Sequence, residues 1–87
     1  MKQRMKYIVI DGPLMVEIYI FPDYIKHNDL AMRFDRPVIS AGFIGRSPEL
    51  LKTGFTENPL ICYGESVSLN IESRNEIDTA LLMRVFS

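Results

Sequence analysis

The sequence predicts one α+β domain in which a small antiparallel sheet of about four to five strands has a C-terminal helix packed on one face. Short runs of β-branched and aromatic residues, separated by Gly, Pro and Asp, predict strands joined by turns. A run near the C-terminus combines helix-start residues with helical spacing. The 87 residues make a single domain, 1–87, and leave no room for a second.

The first two strands are predicted to form a hairpin. Residues 7–10 and 14–21 are β-branched and aromatic runs on either side of residues 11–13 (DGP), and a short Gly-containing connection between such runs is typical of a hairpin. The second run is apolar on both faces, which predicts a central strand that is covered on one side by a helix and on the other by another element or a partner. Residues 1–5 are expected to be a flexible extension.

The middle of the chain is predicted to contain turns, short helices and a further strand. Either one short helix or a turn is predicted after Pro22, and a helical turn fits residues 22–27 because proline is tolerated at an early helical position. Residues 30–34 fit either a short helix or a short strand. Residues 38–44 predict a strand in which Gly42 marks a bulge or a close backbone approach.

Two more strands are predicted before the final helix. Residues 47–52 carry a helix-start signature, and residues 60–63 predict a short strand. Residues 66–71 alternate polar with apolar side chains, which predicts a strand whose odd-numbered residues point inward. The last two segments are expected to pair as a hairpin.

The C-terminal helix is predicted over residues 74–86. Ser73 and Glu76 have the spacing of a capping box, in which each side chain accepts a hydrogen bond from the other residue's backbone amide. Asp78 is assigned to the helix dipole and to a solvated acidic face. The core-facing stripe is predicted from apolar residues at helical spacing: Ile77, Ala80, Leu81 and Val85, widened by Leu82 and Phe86.

Charge and composition disfavour two classes of partner. Lys and Arg total 10 and Asp and Glu total 11, so the formal charge of −1 gives little attraction to nucleic acid or to an anionic membrane. No apolar run is long enough for a signal or a membrane span, and the single cysteine indicates a reducing, cytoplasmic setting. A small nucleic-acid-binding domain remains an alternative, and it would use a basic cluster beside strand aromatics: Lys2, Arg4, Lys6, Tyr7, Tyr19 and Phe21.

Cys62 and His27 are the only cysteine and the only histidine of the chain. A thiol activated by an imidazole is sufficient for nucleophilic catalysis, so a small hydrolase or thiol enzyme using these two residues is a second alternative. The apolar neighbours of Cys62 instead predict a buried structural thiol. His27 with Asp23 and Asp29 could bind a metal only if the segment is helical, and we expect no catalytic residue, metal site or cofactor.

Several short motifs resemble those of small proteins of unknown function encoded in phages and prophages. The motifs are residues 38–43 (VISAGF) and 62–76 (CYGESVSLNIESRNE), with Phe21-Pro22 and His27 upstream. The resemblance implies a compact accessory protein that acts by contact, and it assigns no catalytic residues.

The predicted function is therefore protein–protein contact without catalysis. The partner is another protein or a second copy of the chain, and a homodimer would form through the first hairpin. Met15, Tyr19 and Phe21 share one face of the second strand and would make an exposed apolar patch of the kind that marks an interface. In the competing arrangement, residues 30–34 fold back and cover that patch.

Overall fold

A computed structural model describes residues 4–46 and 60–86. It has an antiparallel sheet in the order β2-β1-β3-β4, a separate two-stranded sheet of β5 and β6, and a C-terminal helix. The predicted α+β class is confirmed. In chain order the elements are β1 (Met5–Asp11), β2 (Val16–Pro22), α1 (His27–Ala31), β3 (Val38–Arg46), β4 (Leu60–Tyr63), β5 (Glu65–Ser66), β6 (Ile71–Glu72) and α2 (Glu76–Phe86).

The predicted hairpin is formed by β1 and β2. Their antiparallel register runs without interruption from the Met5–Pro22 pair to the Asp11–Val16 pair. Met5 also pairs with Ile44 of β3, so it belongs to the sheet and not to the expected N-terminal extension. The second strand begins at Val16, two residues later than predicted, because residues 12–15 form the connection between the two strands.

The third strand confirms the prediction for residues 38–44 and places its irregularity elsewhere than Gly42. Val9 pairs with Ser40 and Ile10 pairs with Val38, so Ile39 is the extra residue of a bulge. Gly42 is instead a position of close approach, since a Cβ there would lie 3.2 Å from the Cβ of Ser73. The helical turns predicted for residues 47–52 lie outside the described residues.

The two faces of the four-stranded sheet carry separate apolar clusters. We call the side under α2 the helix face, and its cluster is Tyr7, Val9, Ile44, Cys62 and Leu82. The opposite side is the loop face, with Ile8, Ile10, Phe21 and Ala41. The alternation of side chains along β1 divides its residues between these faces.

The segment that follows β2 covers the loop face. Its first residues form a turn in which the Ile25 amide donates to the Pro22 carbonyl, and α1 begins only at His27, so the turn and not the helix is the correct alternative for the residues directly after Pro22. The helix ends at Ala31, and further turns carry the chain to Phe34, which packs on the loop face. The loop face of β2 is thus covered within the chain, but the prediction of a central strand is wrong, because β2 pairs only with β1 and lies at the edge of the sheet.

Residues 66–71 do not form the predicted strand. A turn over residues 67–70 separates β5 from β6, with the Leu69 amide donating to Ser66 Oγ at 3.2 Å and Asn70 at a φ of 56°. Serine and asparagine favour such turns because their side chains bond the local backbone and Asn tolerates positive φ. Val67, predicted to point inward, is 86% exposed.

The C-terminal helix forms as predicted, but a different face is buried. Asp78 and Leu82 are fully buried, whereas Ile77 is 60% exposed and Val85 is also exposed. The helix is therefore turned by about one residue, or roughly 100°, from the predicted orientation. Asp78 determines this orientation, because its carboxylate is held by polar side chains of the sheet that the sequence pattern does not associate with it.

Ser73 does not form the predicted capping box, and its hydroxyl bonds the turn that precedes the helix. Its Oγ accepts a hydrogen bond from the Asn75 amide at 2.9 Å, and its own amide donates to the Gly64 carbonyl. The Glu76 side chain is exposed, and the carboxylate of Asp78 reaches back to the Arg74 amide instead. The helix side chain that bonds a backbone amide ahead of the helix is thus that of Asp78 and not that of Glu76.

Candidate functional site

The structure places Cys62 and His27 on opposite faces of the sheet. Cys62 lies in the cluster of the helix face, paired across strands with Ile44. His27 lies on the loop face, where its ring meets the rings of Phe21 and Phe43 edge-on at centroid distances of 5.4 and 5.7 Å. The two groups proposed as a catalytic dyad are therefore not brought together.

The thiol of Cys62 is buried, as predicted. Burial raises its pKa to about 11, and the nearby Asp78 carboxylate acts in the same direction. A thiol nucleophile needs a lowered pKa and access to its substrate. Cys62 has neither property, so its role in this arrangement is packing.

His27 is bound to the backbone of β3. Its Nε2 lies 2.9 Å from the carbonyl oxygen of Gly42, and because a carbonyl only accepts, Nε2 carries the proton of the neutral ring. Burial lowers the pKa of His27, and the positive charge of Lys6 acts in the same direction. Among residues 4–46 and 60–86, no three His, Cys, Asp or Glu side chains are grouped as a metal site.

Asp78 is the centre of a buried polar network under α2. Its Oδ2 accepts from the Tyr7 hydroxyl at 2.6 Å and from the Arg74 amide at 2.9 Å. Its Oδ1 accepts from the Ser40 hydroxyl at 2.9 Å and from the Arg74 guanidinium at 2.8 Å. Tyr7 Oη also lies 2.6 Å from Ser73 Oγ. Because the carboxylate can only accept, the phenol donates to Asp78 and accepts from Ser73.

The network keeps the Tyr7 phenol protonated and the Asp78 carboxyl ionised. Burial alone raises the pKa of the Asp78 carboxyl, but the donors from Tyr7, Arg74 and Ser40 outweigh it and keep the pKa below the ordinary value. Burial and donation to that carboxylate raise the pKa of Tyr7 far above its ordinary value. The network therefore has a structural role in fixing α2 to β1 and β3.

The predicted nucleic-acid platform is not formed by the described residues. Tyr7 and Phe21 are buried on different faces of the sheet. Tyr19 donates to the Glu17 carboxylate at 3.0 Å, which raises the pKa of Tyr19, and its ring packs on that of Phe34 at 4.5 Å. Lys2, part of the basic cluster, lies outside the described residues.

The apolar patch predicted on the first hairpin is largely covered. Phe34 and its neighbours pack over Tyr19 and Phe21, which is the competing arrangement recognised from the sequence. Met15 remains 70% exposed and Leu14 is 95% exposed at the hairpin connection. Exposed apolar side chains therefore remain just before β2, whereas the loop face of the strand is largely covered.

A groove runs between β2 and α2 on the helix face. Its volume is about 490 Å³. We call it the edge groove, and its lining is mainly apolar with one acidic and one basic side chain: Met15, Val16, Glu17, Ile18, Tyr19, Leu81, Arg84 and Val85. The groove exists because α2 lies against β4 and covers the half-buried residues of β2 only in part.

The groove borders an open edge of the sheet. Within residues 4–46 and 60–86, no strand pairs with the outer side of β2 or of β4. The amide of Cys62 in β4 donates to Thr79 Oγ1 of α2 at 2.9 Å, so a helix side chain bonds one peptide group of that strand. Along β2 no such bond to the outer side is present among the described residues. The sequence could not identify this difference because strand order depends on distant pairings.

Comparisons with protein-family models, with curated proteins and with solved structures found no match to the chain. No helix among the described residues is long and apolar enough to cross a membrane.

Proposed function

We propose that the protein is a small, non-catalytic accessory protein of the phage type that acts by protein–protein contact, and that its contact surface is the outer edge of β2. The observation that carries the proposal is a mostly apolar edge strand that pairs with no described element on its outer side and lies beside an apolar groove. A cytoplasmic setting is part of the proposal, because the chain's one cysteine is a free thiol.

The composition of β2 favours strand addition. A sheet edge offers unpaired N–H and C=O groups to another chain, and proteins usually block such edges with lysines, prolines, bulges or a covering element. β2 pairs with β1 at every position and contains one charged residue, Glu17, and one proline, at its last position. Between these two residues the strand is entirely apolar or aromatic.

The occupant that we propose is β2 of a second copy. Antiparallel pairing about a two-fold axis centred on Ile18 or Tyr19 keeps each residue opposite one of the same face, because side chains alternate with period two. Glu17 is then opposite Tyr19 or Phe21 of the other copy and not opposite a second Glu17, so like charges do not meet. The pairing would join two four-stranded sheets into one continuous sheet.

The size of this contact sets the expected strength. The surface that one pair of seven-residue strands and an adjoining turn can bury is smaller than the roughly 1,200–2,000 Å² buried in a stable interface. We therefore expect a reversible dimer that dissociates within the micromolar range. Leu14 and Met15 extend the contact beyond β2, and they supply exposed apolar side chains beside the second copy's strand.

Sedimentation equilibrium from micromolar to millimolar concentration tests the proposal. The mass should rise from that of one chain to that of two. Met15→Lys, which places a charge at the contact, should weaken the dimer about tenfold. Met32→Lys is the matched control, because Met32 is also exposed, lies outside the edge groove and receives the same charge.

Two outcomes would contradict the proposal. A wild-type mass that stays that of a monomer at millimolar concentration would show that β2 does not pair with itself. A dimer that Met32→Lys weakens as much as Met15→Lys would place the contact elsewhere on the surface. In either case a heterologous partner at the β2 edge would need its own evidence.

A further inference from the structure

A second concavity lies on the loop face, away from the edge groove. Lys6, Phe43 and Tyr63 are neighbours across β1, β3 and β4, because Lys6 pairs with Phe43 and Phe43 pairs with Tyr63. The cavity above this row has a volume of about 490 Å³, within the range of small-molecule sites. We call it the basic cleft, after three cations that line it beside two aromatic rings and the only histidine: Arg4, Lys6, Lys26, Phe43, Tyr63 and His27.

The cations of the basic cleft differ in how they are held. The Arg4 guanidinium carbon lies 4.3 Å from the centroid of the Phe43 ring, a cation–π contact. Arg4 and Lys6 each approach a carboxylate oxygen of Asp23, at 3.9 and 3.7 Å, and Lys6 also donates to the Ile25 carbonyl. Lys26 is exposed, and its ammonium has no hydrogen bond or ion pair within the described ranges 4–46 and 60–86.

The charges of the cleft leave an excess of positive charge. Three cations are opposed by Asp23, which pairs with two of them, and by Glu65 on the rim. The excess is located at Lys26, whose ammonium is available to an anion. A compact ammonium group is a common ligand for phosphate.

The aromatic side of the cleft offers a flat apolar surface and a hydrogen-bond acceptor. The rings of Phe43 and Tyr63 lie 6.0 Å apart at a tilt of 34°, and both are only half-buried. His27 is almost completely buried and lines the cleft, and because its Nε2 donates to Gly42, Nδ1 is the acceptor of the neutral ring. Nδ1 has no partner among the described residues.

We propose that the basic cleft binds a nucleotide, with the phosphate at Lys26 and the base against the ring of Tyr63. A nucleotide joins an anion to a planar ring whose edge carries hydrogen-bond donors, and these are the three features that the cleft complements. Bases commonly stack on aromatic side chains and on arginine guanidinium planes. A free mononucleotide and a nucleotide of a single strand present the same chemistry. The cleft is on the opposite face from the edge groove, so this proposal is independent of dimer formation.

An amide chemical-shift titration of the full chain tests the proposal. The probes are adenosine 5′-monophosphate, inorganic phosphate and a short single-stranded oligodeoxyadenylate. We expect saturable shifts at the amides of Lys26, His27, Tyr63 and Gly64 with the mononucleotide. Tighter binding of the oligonucleotide per site, weakened by salt, would identify a single strand as the source, and equal binding would identify the free nucleotide.

Two substitutions separate the phosphate from the base. Lys26→Gln and Tyr63→Leu should each weaken nucleotide binding about tenfold. Only Lys26→Gln should weaken the binding of inorganic phosphate. Arg36→Gln and Tyr24→Leu are matched controls, since both residues are exposed and do not line the cleft, and both should bind as the wild type does.

Three results would overturn the proposal. One is the absence of saturable shifts with either nucleotide probe at millimolar concentration. Another is that inorganic phosphate binds as tightly as the mononucleotide and that Tyr63→Leu weakens neither. This result would make the cleft a simple anion site. The last is equal weakening by the cleft variants and their controls, with the spectra of all variants showing a folded chain.

Discussion

The two edge strands of the sheet, β2 and β4, differ in what lies against their outer sides. At β4, the helix α2 lies against the strand and Thr79 accepts the amide hydrogen of Cys62. At β2, no described element pairs with the outer side, and a groove separates the strand from the same helix. An edge blocked by its own chain is protected from pairing, whereas an unblocked apolar edge is a surface for another strand. The position of α2 over the sheet therefore determines which edge is available.

The hydrogen bonds of Asp78 hold α2 on the sheet, and their removal should have the largest effect on stability. Asp78→Ala removes the acceptor of the Tyr7 and Ser40 hydroxyls and of Arg74, and leaves these groups buried without a partner. The free energy of unfolding should fall by about 3–5 kcal/mol. Urea denaturation followed by circular dichroism measures it. Asp78→Asn keeps the shape and one acceptor and should cost less, and equal effects of the two variants would contradict the account.

Removal of the hydrogen bond between Thr79 of α2 and the Cys62 amide of β4 should have a smaller effect on stability. Thr79→Val removes Oγ1 with little change in shape and leaves the Cys62 amide without an acceptor. The free energy of unfolding should fall by about 1–3 kcal/mol, and the Cys62 amide should exchange faster with solvent. Thr79→Ser retains the hydroxyl and serves as the control. An unchanged exchange rate at Cys62 in the valine variant would show that Thr79 does not block this edge.

On the loop face of β2, protonation of His27 should have a smaller effect on stability, and this effect depends on pH. His27 packs on Phe21 of β2, and burial lowers its pKa, so in mildly acidic solution the unfolded chain takes up a proton that the folded chain does not. The stability contributed by neutral His27 is fully present above its ordinary pKa of about 6.5 and is lost as the pH falls from there toward the lower folded value.

Since His27 is the only histidine, thermal unfolding between about pH 7 and pH 5 isolates this effect from most carboxyl titration. The melting temperature should fall with pH in the wild type. His27→Gln, whose amide can donate to the Gly42 carbonyl, should show a flatter profile. A wild-type melting temperature that is constant or rises toward acid pH would contradict the assignment of a neutral, buried imidazole.

Local sequence signals predicted the elements, and distant contacts determined their arrangement. Runs of β-branched residues identified the hairpin of β1 and β2, and the polar run at 73–76 placed the start of α2 within two residues of Glu76, because both signals act over a few residues. The buried face of α2 was predicted correctly at Leu81 and Leu82 and wrongly elsewhere, because Asp78 binds Tyr7 and Ser40, which are 71 and 38 residues away in the chain. Helical spacing alone treats such a carboxylate as solvated.

The candidate site follows the same division. The apolar character of the strand at 14–21 was evident from the sequence, and so was the possibility that residues 30–34 cover one side of it. The strand was predicted to be central and is at an edge, since the order β2-β1-β3-β4 depends on the pairing of β1 with β3, which the local pattern does not contain. Likewise, the row of Lys6, Phe43 and Tyr63 exists only through the registers of three strands.

Amide hydrogen exchange at two protein concentrations tests the central claim most directly. If β2 pairs with a second copy, amides of alternate β2 residues, those directed away from β1, should be protected at millimolar concentration and should exchange readily at micromolar concentration. The amide of Cys62, bonded to Thr79, should be protected equally at both concentrations. Protection along β2 that does not change with concentration, or protection that changes at β4 instead, would contradict the assignment of β2 as the contact edge.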